Sequence, residues 1–448
     1  MPKIVFIGAG SVVFAQKLMI DLLTFPALRE STFSLVDIDE ERLELTSRVT
    51  GRLKEQEGFP ITIEATTERR KALKDADYVI NMIQVGGLEA YRLDVEIPRR
   101  YGVDQTVGDT LGPGGVFRAL RTAPVLLEIC RDMEELCPNA ILLNYTNPMA
   151  ILSWAMNRAT RIKNIGLCHS VQGTARTLAE FIGVEVKEAT PYQDEESTFS
   201  YKPIPPDVEY WVAGINHQAW FLEFRYRGED AYPLLFKAME DPKIYAQEAV
   251  RFEIMRHFGY FVTESSHHMS EYVPYFRKNP QMVEKFIPQR WDYYEICRKG
   301  LSPYQEKIRR QVNGAEPIPI KRSLEYAAPI INALETGEMV RINGNVENRG
   351  IITNLPQGCC VEVPCLVDQL GIHPCSVGEL PIQCAAINRT NINVQELTVE
   401  GVLQKKKEYI YEAISLDPLT SALLTLEEAR TMTDEMFAEE RAFLPEDL

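Results

Sequence analysis

The stretch KIVFIGAGS, Lys3–Ser11, decides the fold. Lys3–Ile7 is a short run rich in Ile, Val and Phe, which reads as a strand. Gly8-Ala9-Gly10 follows, and Val13, Phe14, Leu18, Leu22 and Leu23 then recur at helical spacing. A strand that passes through G-x-G into a helix aims backbone N–H groups and the positive helix end at an anion such as a pyrophosphate. The third glycine position holds Val13, so the G-x-G-x-x-G pattern is incomplete. The next strand candidate, Phe33–Val36, runs into Asp37-Ile38-Asp39. A carboxylate at Asp37 accepts from both ribose hydroxyls and repels a 2′-phosphate, and no Arg follows immediately, which favours NAD over NADP. Gly8, Gly10, Ser11 and Asp37 are therefore candidate cofactor residues. The competing reading is an α/β unit whose glycines only make a tight turn.

From this turn outward, strand and helix alternate. Glu40–Leu53 reads as a polar helix, Ile61–Ala65 as a third strand and Glu68–Asp75 as a short helix. Tyr78–Gln84 is a fourth strand, closed by Gly86-Gly87, and Val116–Leu136 is a long amphipathic helix. Ala140–Asn144 and Asn164–Leu167 are two further buried strands, with Met149–Ala159 helical between them. Asn81, within the fourth strand, and Asn144, at the end of the next, join the cofactor candidates. The alternation predicts an α/β fold, a Rossmann-like doubly wound parallel sheet over residues 1–187. Then the texture changes. Glu188–Asp207 is polar and proline-bearing, a loop or insertion. Strands Tyr210–Ala213 and Trp220–Arg225 mix with helices Tyr245–Phe258 and Pro303–Gln311. Gly344, Asn345, Asn348 and Gly350 predict a hairpin in Arg341–Asn354, with strand candidates Met339–Ile342 and Cys360–Cys365 around it. The tail Asn393–Phe443 is helical by periodicity. Residues 188–448 read as an α+β substrate lobe built onto the nucleotide-binding lobe.

The composition fits such an enzyme-sized chain. Its 448 residues predict two or more lobes. The 48 Lys plus Arg against 64 Asp plus Glu give a net charge of −16, which excludes a nucleic-acid or anionic-membrane partner. No window has the apolar length of a membrane span, and the N-terminal run reads as a strand rather than a signal peptide. The nine cysteines are scattered without C-x-x-C sets, so reduced thiols and a cytoplasmic location are expected.

Strand ends in such sheets converge on the ligand crevice. Three of them carry unusual polar content: Asn144-Tyr145-Thr146-Asn147-Pro148, Cys168-His169-Ser170 and Gly214-Ile215-Asn216-His217. A thiolate from one and an imidazole from another can hold a divalent ion with open coordination positions. By residue type alone, a Cys after a buried strand reads first as core and a loop His as a hydrogen-bonding residue. Asp109-Thr110 and Gly112–Gly115 make a turn into Arg118 and Arg121, where a guanidinium facing the crevice would bind a polyol by forked hydrogen bonds. A solvated helix face is the alternative. His267-His268 point in different directions on any regular element, so they do not share one ion.

At this point the motifs carry a specific resemblance. GAGS (Gly8–Ser11), DTLGPGGVFRALRT (Asp109–Thr122), NYTNPMA (Asn144–Ala150), GLCHSVQGT (Gly166–Thr174) and AGINH (Ala213–His217) resemble glycoside hydrolase family 4, most closely its α-galactosidase branch. FVTESS (Phe261–Ser266) and NLPQGCCVEV (Asn354–Val363) extend the match into the second lobe. The resemblance implies NAD and a divalent ion, usually Mn2+, held by Cys168 and His217. It implies that Asn147 holds substrate hydroxyls beside the nicotinamide, with Arg118, Asp109 and Asn216 as further substrate contacts. In the family's phospho-sugar branch the residue after the Cys is Asp, the acid; here His169 stands there, either as proton donor or as a sugar contact. Tyr272 is the match for the family's base. The implied route oxidises carbon 3, removes the carbon-2 proton, eliminates the glycosidic oxygen and adds water, unlike two-carboxylate glycosidases. The family usually forms homodimers or homotetramers.

Other readings are a lactate or malate dehydrogenase-like oxidoreductase, which would accumulate NADH, and a silent NAD-binding sensor. Within the family, α-glucosidase, α-glucuronidase and α-galacturonidase are the rivals, since one epimeric hydroxyl or a carboxylate separates the substrates.

Overall fold

The computed structural model describes residues 1–186 and 204–446. Most of the loop expected at Glu188–Asp207 lies outside the described residues. The first six strands are β1 Lys3–Ile7, β2 Thr32–Val36, β3 Thr62–Thr66, β4 Tyr78–Asn81, β5 Ile141–Asn144 and β6 Lys163–Gly166. They pair in parallel in the order β3-β2-β1-β4-β5-β6. That order reverses beside β1 and β4, where a crevice opens at the strand ends.

Side-chain alternation explains why this sheet has two covered faces. Ile4 and Phe6 of β1 belong to one apolar core with Phe33, Leu35, Ile80 and Leu143. Val5 and Ile7 belong to the other with Val36, Val79 and Leu142. The helices that cover them are α1 Val12–Leu23, α2 Glu40–Glu57, α3 Arg69–Leu73, α4 Gly87–Arg100, α5 Gly112–Leu136 and α6 Met149–Ala159, and α7 Ser170–Phe181 follows β6. Asp39 caps α2 by accepting from Arg42 N, and Gly58, at φ 70°, ends it. No helix is expected over Gly87–Arg100 from the sequence, because Gly86-Gly87 reads as the close of the preceding strand; here Gly86 is the N-cap and Gly87 opens the helix.

The sheet does not stop at β6. Strands β7 Val208–Ile215, β8 Gln218–Tyr226, β9 Glu229–Asp230, β10 Val340–Glu347, β11 Cys360–Asp368 and β12 Gly371–Pro374 extend it. The order continues β6-β10-β11-β7-β8-β9, all antiparallel, with β12 on β11. A third core, under Val212, Phe221 and Phe224, packs α7 against the helix Ala249–Phe258.

The expected hairpin is placed differently. Gly344 and Asn345 are mid-strand in β10, opposite Val363 and Glu362, and the connection to β11 is the longer loop 348–359. Gly344 answers packing rather than a turn: a Cβ there would stand 2.4 Å from Ile165 Cδ1. Asn348 organises the loop, donating to Ile352 O and Pro356 O and accepting from Ile352 N. The helix expected over Tyr245–Phe258 is broken, with Pro242–Tyr245 separate from Ala249–Phe258.

Candidate active site

The glycine turn is built as its sequence requires. Gly8 has φ +84°, and a Cβ there would lie 2.9 Å from Ile83 N. Gly10 N donates to Asp37 Oδ2 at 2.7 Å, and a Cβ on Gly10 would meet that same oxygen at 2.7 Å. Only glycine permits β1, β2 and the start of α1 to approach so closely. Ser11 precedes α1 without a side-chain cap, and Val13 is 44% exposed on the first turn, so no bulk covers this helix end. The cradle and the carboxylate fit a dinucleotide. Asn81 and Asn144 end β4 and β5 side by side. Both are fully buried, and Asn81 Nδ2 donates to Asn144 Oδ1 at 2.8 Å and to Thr146 Oγ1 at 3.1 Å. Their amides tie the ends of β4 and β5 together, and Asn81 Oδ1 is left without a hydrogen-bond partner.

Three chain segments meet past the end of β6. Cys168 follows that strand. His217 sits in the two-residue turn between β7 and β8, at φ 61°. Glu264, at φ 75°, follows a segment that pairs beside β8 through Trp220 and Val262. Two non-glycine residues in this sparsely populated region are backbone strain held by the surrounding packing. Cys168 Sγ lies 3.2 Å from His217 Nε2, and Glu264 Oε2 lies 3.5 Å from the same nitrogen. One ligand atom from each of the three residues falls within 4.8 Å of the others. Sulfur, nitrogen and oxygen donors at that separation fit a divalent transition metal with positions left open. His217 Nδ1 meets Thr110 Oγ1 at 3.2 Å, which orients the ring.

The electrostatics set a charged carboxylate at Glu264 beside a neutral thiol at Cys168. Burial pushes the Cys168 thiol up to about 12. Burial alone would raise the Glu264 carboxyl, but the imidazoles of His268, His217 and His169 hold it down at about 2. His268 is buried, 5.2 Å ring to ring from His217, and burial lowers its pKa. His267 turns away to Gln289 O. Beneath the site, burial raises Glu362 to about 7.

Substrate candidates gather beside this cluster. Asn147 Nδ2 donates to Asp109 Oδ2 at 3.2 Å, and Thr110 Oγ1 donates to Asp109 Oδ1 at 2.8 Å. Arg118 Nε donates to Asn147 O, and its guanidinium lies over the Tyr91 ring. Asn216 is buried next to His217, with neither amide atom hydrogen-bonded. Arg121 is not a crevice residue: its side chain is fully buried between Asp94 and Glu440. Tyr272 ends the helix Ser266–Tyr272, is 1% exposed, and burial holds its phenol well above the usual range. The preceding Glu271 accepts from Thr106 N, Val107 N and Gly108 N, which fastens that helix to the loop that carries Asp109. The His169 side chain is 62% exposed, and Glu325 raises it to about 9.

Glu264 is the residue that sequence reasoning missed. It lies inside FVTESS, and no spacing links it to Cys168 or His217.

The family 4 glycosyl hydrolase profile matches residues 3–184, and the profile of that family's C-terminal domain matches 212–420. The chain belongs to glycosyl hydrolase family 4. Family 4 relatives span its whole length. An α-galactosidase of Bacillus subtilis is 44% identical over 100% of both chains. One of Rhizobium meliloti is 37% identical over 99% of this chain and 89% of its own. The Thermotoga maritima 6-phospho-β-glucosidase, solved with manganese, NAD+ and glucose-6-phosphate, superposes with a TM-score of 0.79 at 24% identity, covering 99% of each chain. At that identity the likeness concerns the fold.

Proposed function

We propose that this family 4 chain is an NAD- and divalent-cation-dependent α-galactosidase. The observation that carries the reading is the convergence of Cys168, His217 and Glu264 beside the Asp109–Asn147 pair. The two α-galactosidase relatives favour galactosides over α-glucosides, α-glucuronides and α-galacturonides. Gly8, Gly10, Ser11 and Asp37 would hold the dinucleotide, and the thiolate, imidazole and carboxylate would hold the cation, with substrate and water oxygens to complete the oxygen-rich sphere that suits Mn2+. Bound, these groups supply a reversible hydride acceptor at carbon 3 and a Lewis acid for the neighbouring sugar oxygens.

The chain's own side chains do the rest. Asn147, Asp109, Arg118 and Asn216 orient the sugar hydroxyls. Tyr272 takes the proton from carbon 2; its burial excludes water, and a dication held by Cys168, His217 and Glu264 would favour its phenolate. His169 gives a proton to the departing glycosidic oxygen. No carboxylate attacks carbon 1, so the arrangement needs no pair of carboxyls across the linkage. Residues 1–187 serve the cofactor and 188–448 complete the substrate and metal site, in a cytoplasmic homodimer or homotetramer.

The test is a panel of nitrophenyl α-glycosides assayed with Mn2+, NAD and thiol, each omitted in turn. The expected result is fastest release from the galactoside, little without metal or NAD, and no net NADH. Full activity of protein stripped of both groups, or steady NADH accumulation, overturns the reading.

A further inference from the structure

One charged cluster is not used by this mechanism. Glu325 lies just ahead of the helix Ala327–Thr336 and is buried, its side chain 1% exposed. Its Oε1 receives Lys17 Nζ from α1 at 2.8 Å and stands 3.3 Å from His169 Nδ1. Its Oε2 is buried without a hydrogen-bond partner.

The segment that carries Glu325 is fixed from several sides. Ser323 N donates to Asp21 Oδ1 at 2.6 Å, Gln172 Nε2 donates to Leu324 O at 2.7 Å, and Ala327 N donates to Tyr145 OH at 3.0 Å. These partners sit on α1, on α7 and in the loop before Asn147. A carboxylate held that firmly has little freedom to follow a mobile imidazole, so the imidazole must follow it. With Nδ1 engaged by Glu325, the ring's other nitrogen, Nε2, is left to face a ligand. His169 itself is mostly exposed, so no packing fixes its ring and the carboxylate is what can.

We propose that Glu325 is a positioning residue for His169, holding the imidazolium through Nδ1–H so that its Nε2–H reaches the departing glycosidic oxygen. The inference rests on the reading of His169 as proton donor. As the bond from carbon 1 to oxygen breaks, its electron pair goes to the oxygen, the Nε2 proton joins that oxygen, and the free alcohol leaves. Glu325 keeps its own charge throughout and forms no bond to the sugar. The alternative is a salt bridge with Lys17 that only joins the second half of the chain to α1.

Leaving groups separate the two. A dinitrophenolate departs without a proton, whereas a sugar alkoxide needs one. Glu325→Gln and His169→Ala are compared with the wild type on dinitrophenyl α-galactoside and on an α-galactosyl disaccharide, with Mn2+ and NAD present. The proposal expects each variant to lose about 100-fold in kcat/KM on the disaccharide, within the range of general acid catalysis, and only a few-fold on the dinitrophenyl substrate. If His169→Ala is selective but Glu325→Gln slows both substrates equally, the positioning role is overturned and the proton-donor reading stands. If His169→Ala itself slows both equally, the donor reading fails and this inference fails with it. Should Glu325→Gln not fold, Glu325→Asp, which keeps the charge but withdraws it from the ring, is read by the same ratio.

Discussion

The thiol of Cys168 illustrates how a single residue sets the conditions of the site. Burial raises it to about 12, so it carries its proton through the neutral range. A thiol must lose that proton to bind a metal, and metal binding therefore releases it. Mn2+ affinity is expected to rise about tenfold per pH unit between pH 7 and 9, since one proton leaves in this step. Titration calorimetry at several pH values reads this directly. In Cys168→Ser the affinity falls and the slope flattens; an unchanged affinity contradicts the ligand assignment. The same scale shows what the sequence could reveal. Asp37 and Gly10 were legible because strand, glycine and acid follow one another in order. Glu264 was not, because it reaches the metal cluster only through the pairing of its segment with β8. The expected fourth strand ran to Gln84, but β4 ends at Asn81, where the parallel register sets it beside Asn144 and their amides bond to each other.

Elements are tied by groups whose charge depends on pH. Asp21 of α1 accepts from Ser323 N and Ser323 Oγ, and burial raises its carboxyl to about 7 from 3.8. A raised carboxyl favours the folded state while protonated, and that contribution is lost as pH rises from about 4 through about 7. The shift corresponds to roughly 4 kcal/mol at most. Asp21→Asn keeps the hydrogen bonds but not the ionisation. Its Tm relative to the wild type is expected to climb between pH 4 and 8; a constant difference contradicts the buried-carboxyl account. Gly344 carries a second lesson. Glycine beside asparagine usually signals a turn, yet here it lets β10 lie against Ile165 of β6. Gly344→Ala is expected to cost about 1–3 kcal/mol by overpacking, measured by chemical denaturation. A neutral result would contradict the close-packing account of Gly344.

The whole molecule is one sheet in which a parallel half meets an antiparallel half, with the metal cluster next to the changeover. The alternation of strands and helices made the parallel half legible. The antiparallel half was not, because its neighbours β10, β11 and β7 are far apart in sequence. The C-terminal helices return to the first half through Arg121, whose guanidinium pairs with Asp94 and Glu440 away from water. Arg121→Met leaves two carboxylates buried together and is expected to lower stability by about 3–5 kcal/mol. Thermal unfolding with activity per folded molecule checks this: Tm falls while the KM for galactoside stays near wild type. A large rise in KM with unchanged Tm would make Arg121 a substrate residue after all.

The central claim is that the glycosidic bond is loosened from carbon 2 rather than attacked at carbon 1. Hydrolysis of an α-galactoside in heavy water, with Mn2+ and NAD present and the released galactose read by NMR, tests it most directly. Solvent deuterium at carbon 2 of the product is the predicted result. Galactose that retains its original hydrogen at carbon 2 after full turnover contradicts the account.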